Sequence, residues 1–93
     1  MRLKEKRLQD LVSVGPAMLR DFQLLGVRSI TAFAREEPQE MYNRLCEVTG
    51  EQQDPCVLDV FTAAVAQARD PYLPPEQRQW WYWTRERKRR GKA

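Results

Sequence analysis

Residues 8–27, LQDLVSVGPAMLRDFQLLGV, hold two apolar runs at helical spacing joined by only four residues, Ser13-Val14-Gly15-Pro16. A turn that short between helices is expected to use glycine for a backbone angle that other residues resist, with proline opening the second helix. Such a turn leaves several main-chain N–H groups without partners. Whether those donors face water, another protein or a phosphate bears directly on what the chain does.

Outward from this turn the helical period continues in both directions. A first helix is expected over residues 3–12, with Leu3, Leu8, Leu11 and Val12 inward. A second runs from Pro16 to Gly26, burying Met18, Leu19, Phe22 and Leu25, with Gly26 as a left-handed stop. Ser29 is placed to cap a short third helix that turns Ile30 and Phe33 inward. Pro38 suits the first turn of a fourth, with Glu36, Glu37 and Glu40 near its positive end. Tyr42, Leu45, Cys46 and Val48 are its expected core face, and Gly50 ends it. Asp54-Pro55 caps and opens a fifth helix, PCVLDVFTAAVAQAR, with Val57, Leu58, Phe61, Val65 and Ala68 on one face. Residues 70–75, with three prolines, read as an extended connection to a helical or partly helical EQRQWWYWTRERKRR. No run alternates as a strand would. The expected fold is all-α, five to six short helices with a Trp-rich C-terminal segment, and the pattern helix, glycine turn, helix occurs around both Gly15 and Gly50.

Ninety-three residues make one small domain, burying about 60–65% of the surface of its unfolded chain. Hydrophobic residues at 42% and charged residues at 31% argue for a folded domain. The apolar run FTAAVA is far too short to span a bilayer, so no membrane partner is expected. The N-terminus MRLKEKRLQD lacks the features of a secretory signal, which predicts a cytoplasmic location and reduced Cys46 and Cys56. The net charge of +3 is unevenly placed. Residues 85–93 hold six basic residues and one acidic, a net of +5, whereas residues 1–84 hold ten basic and twelve acidic, a net of −2. The chain divides accordingly into a domain, residues 1–84, and a basic tail, residues 85–93, expected to be solvated and mobile.

LVSVGPAMLRDFQLLGVRSITAFA resembles a helix-hairpin-helix motif, in which a short apolar-Gly-apolar-Gly turn joins two helices. Together with MYNRLCEVTG, DPCVLDVFTAAV and QWWYW it resembles a small bacterial family labelled pathogenicity-locus proteins, also called mitomycin-resistance-like. The resemblance covers residues 8–83. It implies two helical hairpins packed as a pseudo-repeat, a SAM-like arrangement similar to that in many DNA-repair proteins, and a link to DNA repair or stress resistance. It further implies that the first turn holds the DNA backbone through free N–H groups and the positive end of the following helix. On this chain the implied phosphate site comprises Ser13, Val14, Gly15, Ala17 and Met18, with Arg20 as the nearby cation. Ser13 stands where the motif has its first glycine, Pro16 has no N–H, and Asp21 adjoins Arg20. The second turn, EVTGEQQDP, is longer and acidic and is not expected to touch phosphate.

The cluster Trp80, Trp81, Tyr82, Trp83 precedes Arg85, Arg87, Lys88, Arg89, Arg90 and Lys92. It admits three readings: tryptophans that clamp the C-terminal segment onto the helices, rings that stack on unpaired bases while the tail follows the backbone, or tryptophans and basic residues set at lipid headgroups. Cys46 and Cys56 are expected to be buried free thiols, since two cysteines without a histidine leave a zinc site short of ligands. With no histidine and no activated serine, no catalytic residue, metal or cofactor is predicted. The sequence therefore predicts a non-enzymatic module that binds DNA without reading its sequence. The alternative is a protein-interaction module, homo- or hetero-oligomeric, without nucleic-acid binding; the oligomeric state stays open.

Overall fold

The computed structural model describes residues 11, 12 and 14–91. They form α1 (Pro16–Leu25), α2 (Ile30–Ala34), α3 (Pro38–Thr49), α4 (Pro55–Arg69), a 3₁₀ segment (Pro75–Arg78) and α5 (Trp80–Gly91). No strand occurs among the described residues, and the class is all-α. Residues 3–10 of the expected first helix lie outside the described residues. Leu11 is buried as expected, but Leu11 and Val12 form a turn in which Val14 N–H donates to the Leu11 carbonyl at 3.3 Å.

Local chemistry sets the boundaries. Proline occupies the first turns of α1, α3 and α4. Ser29 Oγ accepts from Ala32 N–H at 3.1 Å to cap α2, and Asp54 Oδ1 accepts from Cys56 N–H at 2.8 Å to cap α4. α1 stops where Gly26 takes φ +76°, with Gly26 N–H donating to the Gln23 carbonyl and Val27 N–H to the Phe22 carbonyl. That paired closure requires a residue tolerant of the left-handed region, and buried Val27 packs beneath it.

α4 is the central element, packed against α2, α3, α5 and the 3₁₀ segment, while α1 lies on α3. Phe22 stands edge-on to Phe33 with centroids 4.6 Å apart and reaches Phe61 at 5.9 Å, so one aromatic group joins α1, α2 and α4. Met41, Leu45 and Val65 complete the core. Val48, expected to face it, is 57% exposed, because residues 47–49 of α3 run past the core before the turn; fully buried Met41 is the residue that packs instead. Residues 70–75 bend rather than extend: Leu73 N–H donates to the Asp70 carbonyl and buries its side chain before the 3₁₀ segment begins.

Two polar side chains are buried on α4, Asp59 and Gln67. Gln67 Oε1 accepts from Val12 N–H at 2.9 Å, and its Nε2 donates to the Val12 carbonyl at 3.0 Å and the Arg78 carbonyl at 3.4 Å. One amide thus fastens both the turn before α1 and the end of the 3₁₀ segment to α4.

The Cys56 N–H, foremost, holds the Asp54 carboxyl below its ordinary range, helped by the Cys56 thiol and by Arg87. A carboxyl lowered on folding stabilises above its unfolded pKa, near 4, and loses that effect as pH falls through its lower folded value. Asp54→Ala is accordingly expected to lower the melting temperature at pH 7, with the gap from wild type closing below about pH 4 in thermal melts.

Candidate nucleic-acid interface

The predicted site residues fall in two places, the start of α1 and the length of α5. At the first, Ser13 lies outside the described residues, and Val14 is removed from the donor set because its N–H is spent on the Leu11 carbonyl. Gly15 is also not what the sequence predicts. Its φ is −105°, extended backbone open to any residue, and a Cβ there meets nothing within 4 Å, so no angle peculiar to glycine is needed. The left-handed glycines are Gly26 and Gly50, where α1 and α3 end.

What α1 presents is narrower. No side chain caps it at Gly15. The helical ladder begins with Leu19 N–H donating to the Gly15 carbonyl, so the amides of Ala17 and Met18 precede the first intrahelical bond. Arg20 is exposed one turn on. Beside it, partial burial raises the Asp21 carboxyl, with Arg20 opposing.

Through Gly91 the basic segment is one helix with the tryptophans, and α5 runs unbroken across residues 84 and 85. The cause is Asp59, whose side chain is 2% exposed. Arg87 Nε donates to Asp59 Oδ1 at 3.0 Å and Arg87 Nη2 to Oδ2 at 3.0 Å, while Thr84 Oγ1 donates to Oδ2 at 2.6 Å. A buried carboxylate needs such partners, and a bidentate arginine with a hydroxyl supplies them. The Asp59 hydrogen bond, chiefly, drives the Arg87 pKa further up. Arg87 therefore faces inward and is not a contact for a polyanion.

The remaining cations point outward. Arg85 pairs with Glu76 at 2.9 Å and lies over the rings of Trp81 and Tyr82, 5.5 and 5.4 Å from their centroids. Arg89 pairs with Glu86 at 2.8 Å. Lys88 and Arg90 are exposed and form no ion pair among the described residues; Lys92 lies outside them. The tryptophans divide their roles. Trp83 Nε1 donates to the Gln77 carbonyl at 2.7 Å and clamps α5, whereas Trp80 and Trp81 are 39% and 44% exposed.

Beyond α5, Cys46 and Cys56 are half-buried free thiols rather than fully buried ones. Cys46 Sγ accepts from Gln53 N–H at 3.4 Å, and the Tyr42 hydroxyl donates to the Gln53 carbonyl. The Asp54 carboxylate, first, and burial push the Cys56 thiol up, which disfavours the nucleophilic thiolate. Among the described residues no three Cys, Asp or Glu converge as a metal site, and no helix is long and apolar enough to cross a membrane.

Asp59 and Gln67 escape a sequence reading that tracks apolar spacing. Asp59 leaves a trace, a single acid inside VLDVFTAAVA, but its partner lies 28 residues away.

A family model, Cdd1, described as pathogenicity locus, matches residues 2–89. The chain is 40% identical over 82 residues to a protein of Streptomyces lavendulae named mitomycin resistance protein McrB, covering 88% of this chain and 74% of that one. No solved structure matches.

Removing Arg87 alone strands a buried carboxylate. Arg87→Leu is expected to cost about 3 kcal/mol, the low end for a buried pair because Arg87 keeps 35% of its side chain exposed. Adding Asp59→Leu to Arg87→Leu should recover most of that loss, as measured by urea unfolding of both single variants and the double.

Proposed function

This chain belongs to the Cdd1 pathogenicity-locus family, and we propose that it is a non-enzymatic module that holds the sugar-phosphate backbone of nucleic acid without reading sequence. The observation that carries this reading is the ordering of the basic segment. α5 holds five basic residues against one acidic, and one of the five is spent inward to lock the helix onto α4. The outward cations are thereby carried on a fixed helix, beside a body that is slightly acidic and so contributes little attraction of its own.

The start of α1 is a second, weaker contact in this reading. The amides of Ala17 and Met18 at the positive end of α1, with Arg20 nearby, form the arm that a helix-hairpin-helix would offer to one phosphate. Contacts of this kind position a backbone and carry no sequence information. The relative's name ties that protein to resistance to mitomycin; in this chain a role in DNA repair or stress resistance is part of the proposal.

Cutting at residue 84 does not test this, since it removes Arg87 and exposes Asp59. The test is a fluorescence-anisotropy titration of labelled DNA duplexes of two unrelated sequences with the full chain across a salt series. Affinity is expected to be equal for both sequences and to fall with a log-log slope of about −0.9 per phosphate contacted. Lys88→Glu combined with Arg90→Glu should weaken binding at least about tenfold and flatten the slope by about 2. Arg20→Glu should remove about one further contact. Binding that is insensitive to salt and to the double variant, or no binding to DNA at low salt, overturns the reading and favours a protein partner.

A further inference from the structure

Trp81, 44% exposed, stands on a strongly basic helix in a domain that buries all three of its phenylalanines. Trp80 and Trp81 open α5, and Trp81 shares its outward stripe with Arg85, Lys88 and Arg89 at the i, i+4, i+7 and i+8 spacing of one helix face. The stripe from Trp81 to Lys88 is about 10 Å long at the helical rise. Trp81 is also held in place. The guanidinium of Arg85 lies against its ring and against Tyr82, and Glu76 fixes that guanidinium from the 3₁₀ segment. A ring backed by a tethered cation loses little freedom when a second flat group lies on it.

Resting on the proposed backbone contact, we infer that the Trp81 ring is a stacking platform for the bases of single-stranded nucleic acid, with Lys88, two turns along the same stripe, on a flanking phosphate. The charge selects the occupant. An apolar partner segment gains nothing from four outward cations, whereas a single strand presents in alternation the two things this face carries partners for, flat rings and anions. A duplex presents only the anions, because its bases are stacked on one another. The face should therefore favour single strands over duplex, and the preference should come from the ring.

The experiment compares the full-length wild type, Trp81→Ala and Trp81→Phe by anisotropy on three labelled probes of equal length: a mixed-sequence single strand, its duplex, and an abasic single strand. Trp81→Ala is expected to weaken the intact strand by about 5- to 150-fold, the range for loss of one base–aromatic stack, while changing duplex and abasic affinities by less than about twofold. Trp81→Phe should restore most of the loss. Circular dichroism and urea unfolding should show Trp81→Ala folded as wild type, since the ring is exposed. If Trp81→Ala binds the intact strand as wild type does, or loses all three probes alike, the stacking platform is wrong while the backbone reading stands. If wild type binds no probe at low salt but binds phosphatidylserine vesicles, both readings fall.

Discussion

A carboxylate that is 2% exposed must be answered, and in this protein the answer fixes how α5 lies on the rest of the fold. Asp59 sits in the middle of α4, the helix on which α2, α3 and α5 pack. Its oxygens take one hydroxyl and two guanidinium nitrogens, all from α5. Left to itself, RERKRR sets like charges three and four residues apart and disfavours a helix. With Arg87 drawn inward, Glu86 set against Arg89 and Glu76 against Arg85, the same sequence becomes the continuation of the tryptophan helix. The ion pair need not add much net stability to fix this geometry; its effect is to make one arrangement of α5 far better than any other.

Gln67 performs the neutral counterpart two turns further along α4. Its amide satisfies both main-chain groups of Val12 and the carbonyl of Arg78, groups that turns would otherwise bury without partners. The segment entering α1 and the segment entering α5 are therefore both anchored on one helix. The two candidate contacts for a phosphate backbone are parts of a single rigid unit for that reason, although they lie at opposite ends of the described chain.

Where a helix starts or stops was legible because the decision is local. Ser29, Pro38, Asp54 and Pro55 act within one turn of themselves, and Gly26 and Gly50 stop helices through their own backbone angle. The family, too, was legible, from motifs spread along the chain. What misled was nonlocal. Gly15 looked like the glycine a tight turn needs, yet the turn is closed by Leu11 and Val14 with Gly15 in ordinary extended backbone. Val48 has the right spacing for the core, but spacing does not say where the partner surface ends. Six cations in nine residues looked like one polycation, and only a carboxylate 28 residues earlier in the chain separates the inward arginine from the outward ones.

That separation has a consequence for how a polyanion is held in the proposed role. Of the five cations on α5, Arg87 is internal, and Arg85 and Arg89 have acidic neighbours that any phosphate must compete with. Lys88 and Arg90 remain, and two phosphates bound through exposed side chains weaken steeply at physiological ionic strength, where charges are screened beyond about 8 Å. Stacking is not screened in this way. At low salt the cations would dominate and the face would accept any strand. At physiological salt the balance moves toward the ring, so the exposed Trp81 indole, a minor partner in dilute buffer, becomes the part of the face that decides which form of nucleic acid is held.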